Sequence, residues 1–266
     1  MSSWEGSFLQ RRLEKAVGSF AGVSPELLAS RALLRRVDSK FVVSTSVLPD
    51  FVAALESHYG VLRVPAGSVA TYRNLYLDSP DMRCFHDHRR GRRIRHKVRF
   101  RHYPDRGVSY LEVKVKRGAS TTDKHRLPVE YGVETLGPEA KVFLARVLPS
   151  ELASSVRPSV HIAFRRISLV GLETEERITV DFELEARDLR SVGGPFRAVG
   201  VVEVKQRRFC ARTPAMVALR RCGAHPGRMS KYVCGVGMTR PAERMNRLLP
   251  RLRGVIDLSA KGGAHA

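Results

Sequence analysis

Between Ile94 and Lys116 the chain alternates charge and hydrocarbon so strictly that few folds can accept it. The odd positions of the first half are Arg95, Lys97, Arg99, Arg101 and Tyr103, and the even ones are Ile94, His96, Val98, Phe100 and His102. Pro104-Asp105-Arg106-Gly107 then turns the chain, proline presetting φ and glycine accepting the exit geometry. It returns with Tyr110, Glu112, Lys114 and Lys116 on one face and Leu111, Val113 and Val115 on the other. Successive side chains leave a pleated strand on opposite faces, so this alternation is strand spacing. The expectation is a β-hairpin with one apolar face and one that is almost wholly ionic.

The same alternation recurs along the chain. Arg177, Thr179, Asp181, Glu183 and Glu185 alternate with Ile178, Val180, Phe182 and Leu184. Glu203 and Lys205 interleave with Val202 and Val204, and Tyr72, Asn74, Tyr76 and Asp78 are opposed by Leu75 and Leu77. Shorter versions are Arg36, Asp38 and Lys40, and the stretch around Arg166. Between these runs lie helical stripes. One opens at Ser24-Pro25-Glu26, a cap, a first-turn proline and an early acid, and reaches about Arg36 with Leu27, Leu28, Leu33 and Leu34. Another runs from near Ser46 through Val47, Phe51, Leu55 and Tyr59 to Gly60. Two more span Pro138 to Leu148 and Thr213-Pro214 to just before Gly223.

The fold class expected is α+β: an antiparallel β-barrel tunnel of about eight strands, a meander, with helices packed on the outside. Helices with apolar stripes need a surface to cover. If they cover the apolar outer face of a barrel, the ionic face lines a water-filled lumen. The expected divisions are an N-terminal helical extension over 1–35, the tunnel over 36–240 and a basic tail over 241–266.

Charge says what such a lumen would hold. Lys and Arg number 47 against 26 Asp and Glu, a formal net charge of +21, a field that attracts polyanions. Arg95, Lys97, Arg99 and Arg101 on one face repel one another unless an anion lies between them, and guanidinium forks match phosphate oxygens. Carboxylates on the same kind of face would only repel that anion. They make sense as ligands of Mg²⁺ or Mn²⁺, hard ions that bridge carboxylate and phosphate. Nucleic-acid strands instead mix basic residues with exposed aromatics, so no specific nucleic-acid partner is expected.

The remaining features exclude more than they assign. Cys84, Cys210, Cys222 and Cys234 form no Cys-x-x-Cys pair, which gives no support to a zinc ribbon or thioredoxin site and suggests a reducing compartment. Cys84-Phe-His86-Asp-His88 reads as a polar loop after a strand rather than a soft-metal site. The apolar residues at the N-terminus are interrupted by Arg11, Arg12, Glu14 and Lys15, and no apolar run reaches transmembrane length. A cytoplasmic protein without a membrane span is expected.

Taken in order, several short motifs resemble the VTC domain, a polyphosphate polymerase domain of the triphosphate tunnel metalloenzymes, which are related to CYTH domains. They are Arg36-Val-Asp38-Ser-Lys40-Phe41, Tyr76-Leu-Asp78-Ser79, Arg95-His-Lys97-Val-Arg99-Phe-Arg101 followed by Leu111-Glu112-Val-Lys114, and Lys124-His-Arg126. Phe164-Arg165-Arg166, Glu203-Val-Lys205 and Ser230-Lys231-Tyr232 complete the series. Asp38 stands where glutamate is more usual, and Phe164 stands where the family tends to have tyrosine.

The resemblance implies a tunnel in which ATP donates its γ-phosphate to a growing inorganic polyphosphate chain, with Mn²⁺ or Mg²⁺ as cofactor. Carried over by position, Lys40, Arg99, Arg101, Lys114, Lys124, Arg166 and Lys231 bind phosphates, Ser230 hydrogen-bonds a phosphate oxygen and Glu203 holds the metal. Arg99, Arg101, Arg166 and Lys231 are the candidate catalytic residues. Substrate contacts fall to Lys40, Arg95, Lys97, Lys114, Lys124, Arg126, Lys205 and Ser230, and metal ligation to Glu203, Glu112, Asp181 and Glu183. A triphosphatase on the same fold, with water as acceptor, is the alternative enzyme. A non-enzymatic binder of polyphosphate or nucleic acid is the alternative without catalysis.

Overall fold

The computed structural model describes residues 7–33, 35–118, 121–190, 193–196, 198–227 and 229–240; Leu34 of the first stripe and the expected basic tail over 241–266 lie outside them. In chain order the elements are α1 (Phe8–Ala16), α2 (Pro25–Ser30), β1 (Val37–Ser44), α3 (Leu48–Ala53), β2 (Tyr59–Val61) and β3 (Ala70–Asp78). Then follow α4 (Arg83–Arg90), β4 (Ile94–Tyr103), β5 (Val108–Arg117), β6 (Thr121–Val129), α5 (Pro138–Val147) and α6 (Ser150–Ser155). The chain closes with β7 (Arg157–Gly171), β8 (Glu176–Asp188), β9 (Gly193–Pro195), β10 (Val199–Gln206), α7 (Pro214–Arg221) and α8 (Lys231–Thr239).

The strands form one antiparallel 10-stranded sheet in the order β1-β10-β8-β7-β3-β4-β5-β6, with β2 on β7 and β9 on β8. Among the described residues β1 and β6 share no ladder, so the barrel is a curled sheet with an open seam. The curl still brings the far strands near each other, because Lys40 on β1 lies within electrostatic reach of Lys97 on β4 and Lys114 on β5.

Register sorts the side chains into two faces. Tyr76 pairs with Arg99 and Arg99 with Glu112, which pairs with Arg126. On the other wall Lys40 pairs with Glu203, Glu203 with Thr179, and Asp181 with Arg166. These residues share the inner face. The outer face is apolar and covered by helices: Val98, Phe100, Leu111 and Val113 cluster with Leu144 of α5 and Leu152 of α6. Phe41, Ile167, Val180, Phe182 and Val202 cluster with Leu13 of α1, Phe51 of α3 and Met216 of α7. Burying a Leu or Phe side chain is worth about 1.5–3 kcal/mol, so the helices fix which side of the sheet is dry.

Three local expectations are corrected. The stripe from Ser46 becomes a short 3₁₀ turn and then α3, which ends at Ala53; Tyr59-Gly60 belongs to β2, paired with Gly171 and Val170. Tyr59 is fully buried and its hydroxyl donates to Glu176, an anchor the helical stripe did not anticipate. The first stripe stops at Ser30 rather than near Arg36, with the Arg31 guanidinium donating to the carbonyls of Leu172 and Thr174. Cys84-Phe-His86-Asp-His88 is helix rather than loop: Asp78 accepts from the backbone N–H of Ser79, Cys84 and Phe85 and so opens α4. Ser230-Lys231-Tyr232, to which the alternation assigned no element, begins a helix, α8, with Ser230 as its N-cap.

Candidate functional site

Three carboxylates organise the cations of the inner face. Glu112, on β5, has only 2% of its side chain exposed and lies under Arg99, Arg101, Lys124 and Arg126. Arg99 donates twice to one Glu112 oxygen, at 2.9 and 2.6 Å, and Lys124 Nζ is 2.7 Å from the other. Burial pushes the Glu112 carboxyl up, but Arg99, Arg101 and Lys124 outweigh it and hold it well below the usual carboxylate range. Burial lowers the Lys124 ammonium and Glu112 raises it, leaving it at about 8.

Asp181, on β8, receives Arg166 Nε at 2.5 Å and Nη2 at 2.8 Å, a two-toothed pair, together with Lys231 Nζ at 2.5 Å. Against the effect of burial, these two cations bring its carboxyl down to about 2. Lys231 reaches it from the first turn of α8 and lies 4.7 Å over the Phe164 ring. That ring stacks on Tyr72 with centroids 5.1 Å apart. Phenylalanine in place of the family's tyrosine thus leaves a packed aromatic platform without a hydroxyl.

Glu203, on β10, sits between Lys40 Nζ at 2.5 Å and Lys205 Nζ at 2.9 Å. Burial raises its carboxyl, and Lys205 and Lys40 carry it far below the carboxylate range. It differs from the other two in access, with 17% of its side chain exposed against 2% for Glu112 and Asp181.

The inner face therefore brings together Lys40, Lys97, Arg99, Arg101, Lys114, Lys124, Arg126, Arg166, Lys205 and Lys231, with Arg95 at its edge. It does not bring Glu183 there. That residue takes positive φ (49°) at a register shift in the β7–β8 ladder, and its carboxylate turns to Arg165 (2.9 Å) and to Ser7 beside α1. The β-bulge breaks the alternation that placed Glu183 with Asp181. Ser230 is adjacent to Lys231, but its oxygen already accepts the Val233 N–H at 3.4 Å as a cap.

Sequence reasoning missed the second layer. Tyr76 Oη accepts from Arg99 at 2.9 Å, and Asn74 Oδ1 accepts from Arg101 Nε at 2.8 Å while its amide donates to the Ile162 carbonyl. Tyr232 stacks on Tyr76 and donates to Asp78, which fixes α8 across the inner face. The signal was present, since Tyr72, Asn74, Tyr76 and Asp78 hold alternate positions of one strand.

Could this face hold a divalent ion? Among the described residues no three carboxylate, histidine or cysteine side chains converge on one point. Each of the three carboxylates above is already flanked by at least two cations. An ion bound by protein alone does not fit. An ion that keeps its waters and brings phosphate oxygens needs only one or two carboxylates, and Glu203, held by flexible lysines and reached by solvent, fits that part.

The family model described as "VTC domain" matches residues 35–239. A candidate adenylate cyclase from Bacillus halodurans is 11% identical, with 74% of this chain and 94% of that chain covered and a TM-score of 0.46. A candidate adenylyl cyclase from Hippeastrum, reported to have a dominant triphosphatase activity, is 16% identical, with 78% and 99% covered and a TM-score of 0.49. No curated protein matches the chain. No helix among the described residues is long and apolar enough to cross a membrane.

Proposed function

The chain belongs to the VTC domain family, and from that premise we propose that it is a polyphosphate polymerase, moving the ATP γ-phosphate onto the end of an inorganic polyphosphate chain. The observation that carries this reading is the ionic inner face, where cations outnumber carboxylates and the carboxylates serve to aim them. Glu112 gathers Arg99, Arg101, Lys124 and Arg126; Asp181 aligns Arg166 with Lys231. Phosphoryl transfer asks a protein mainly for alignment and for charge placed in advance around the moving group. Guanidinium groups whose forks are already oriented supply both, and their partners Tyr76 and Asn74 keep them from collapsing onto each other.

In this reading Arg99, Arg101, Arg166 and Lys231 surround the transferring phosphate, while Lys40, Lys97, Lys114, Lys124, Arg126 and Lys205 hold the rest of the chain. A bound Mg²⁺ or Mn²⁺, with Glu203 as its protein ligand, would offset charge on the phosphate oxygens. No acid–base or nucleophilic side-chain constellation is required, because the attacking oxygen belongs to the acceptor phosphate.

The test is product analysis. Incubation with ATP and Mn²⁺ is expected to give long chains on a polyphosphate gel, retained after phosphate-free washing. Orthophosphate alone would replace this reading with the triphosphatase. No consumption of ATP would leave a binding protein.

A further inference from the structure

Lys97 and Lys114 stand directly opposite each other in register on β4 and β5, both on the inner face. Like charges placed so are destabilising, with Cβ atoms about 5 Å apart. The cations of the three carboxylate clusters each have an acid within ion-pair distance, whereas among the described residues Lys97 forms no ion pair. The charges that act on it most strongly are all cations. Arg95 and Arg99 flank it on β4, Lys114 faces it from β5, and Lys40 approaches from β1. His88 of α4 lies beside it, pushed down to about 2 by burial and by Lys97 itself, and so carries no charge. Asp78, next along β3, has its oxygens committed to three backbone N–H groups and the Tyr232 hydroxyl. Glu203 and Asp38 act on Lys114 across the pair.

We propose that anion binding at this lysine pair is proton-coupled: a phosphate chain seated between Lys97 and Lys114 enters together with one proton, which ends on Lys97 Nζ. The inference rests on the reading that the inner face holds phosphates, and adds where the excess charge is made. Half-buried among cations, Lys97 is held at about 7 by burial, Lys114 and Lys40, so near neutral pH its amine is partly uncharged. A phosphate oxygen beside it reverses the sign of its surroundings. The nitrogen lone pair then takes a proton from the buffer, forming one N–H bond, and the resulting ammonium ion pairs with the phosphate. Ligand-free, the protein avoids one repulsive charge; ligand-bound, it regains that charge where it is used.

The experiment is calorimetric titration of the whole protein with tripolyphosphate, in two buffers of different ionisation heat, at pH 6, 7 and 8. The share of proton uptake that belongs to Lys97, read as parent minus Lys97→Arg so that Lys124 and the ligand's own protons cancel, is expected to grow from near zero at pH 6 to about half a proton at pH 7 and nearly one at pH 8. Lys97→Arg keeps a permanent charge. It is expected to bind while taking up nearly one proton fewer than the parent at pH 8. Equal uptake by parent and variant overturns the inference and leaves the functional reading standing. Should Lys97→Arg not bind, Lys97→Met decides: parent affinity falls from pH 7 to 8 by up to roughly tenfold more than that of Lys97→Met if the proton goes to Lys97. Identical pH slopes overturn it. Absence of tripolyphosphate binding by the parent overturns the functional reading, and the inference with it.

Discussion

Asp181 and Glu183, two residues apart on one strand, send their carboxylates to opposite faces of the sheet, because Glu183 adopts positive φ at a bulge. Asp181 joins Arg166 and Lys231 inside, and Glu183 joins Arg165 and Ser7 outside. Removing one partner of a buried ion pair costs about 3–5 kcal/mol, so Asp181→Asn is expected to lower the denaturation midpoint strongly. Tripolyphosphate should recover part of that loss by giving Arg166 and Lys231 a new anion. Glu183→Gln is expected to cost less and to leave tripolyphosphate affinity unchanged. Denaturation with and without ligand separates the two, and a ligand effect at Glu183 would move that residue back to the site.

Arg99 and Phe100 are neighbours with opposite duties. Phe100 is fully buried against the helices, and its truncation to alanine is expected to cost about 3–5 kcal/mol. Arg99→Ala leaves Glu112 with Arg101, Lys124 and Arg126, so ligand-free stability should change little. Each lost charge-assisted hydrogen bond is worth about 1.5–3 kcal/mol, so tripolyphosphate affinity should fall at least ~10-fold. If tripolyphosphate raises the melting temperature of Arg99→Ala as much as that of the parent, the inner face is not the site.

Glu203 is the carboxylate best placed to share an ion with a bound phosphate. Glu203→Gln is expected to reduce metal-dependent turnover by ~10–100-fold without unfolding the protein. The readout is turnover of ATP across a Mn²⁺ titration, alongside circular dichroism. Parent-like activity would remove the metal assignment.

The pH dependence of stability has an unusual sign. Lys97 and Lys124 titrate at about 7 and about 8 in the folded chain, against an ordinary 10.5. Between those values and 10.5 the unfolded chain binds more protons than the folded one, so stability rises with pH. The penalty of holding these charges is fully present below about pH 7 and is relieved as pH climbs toward 10. Ligand-free protein should therefore melt higher at pH 9 than at pH 6.5, and Lys97→Met should show a smaller rise. At the acid end Asp181, at about 2 against 3.8, contributes stability that is lost as pH falls from about 4 through 2. Melting curves across pH, at fixed ionic strength, check both limbs.

The hairpin and its ionic face were legible in the alternation alone, since Arg95 to Tyr103 and Tyr110 to Lys116 contain no residue that disturbs the pleat. The bulge was not, because Asp-Phe-Glu-Leu-Glu keeps perfect alternation in sequence while the backbone slips. The helix that carries Lys231 was hidden for a different reason. Lys231–Thr239 contains two glycines and several β-branched residues, all poor helix formers. Gly235 is there for packing: a Cβ would meet Ile162 Cδ1 at 2.8 Å, where the helix crosses the sheet. Tertiary contact, invisible in one chain segment, overrides local propensity. The early end of α3 has the same origin, since Tyr59 is claimed by Glu176 and by pairing with Gly171.

The unpaired seam between β1 and β6 gives the sheet a mechanical property that a closed barrel lacks. Hydrogen-bonded staves hold a fixed circumference, but here, among the described residues, no ladder joins the two margins, and Lys40 near one of them repels Lys97 and Lys114 across the gap. Such a curl works as a caliper. If the proposed function holds, a polyanion touching both margins would offset the repulsion between Lys40 and the lysines across the gap, and so favour a tighter curl than the bare chain adopts.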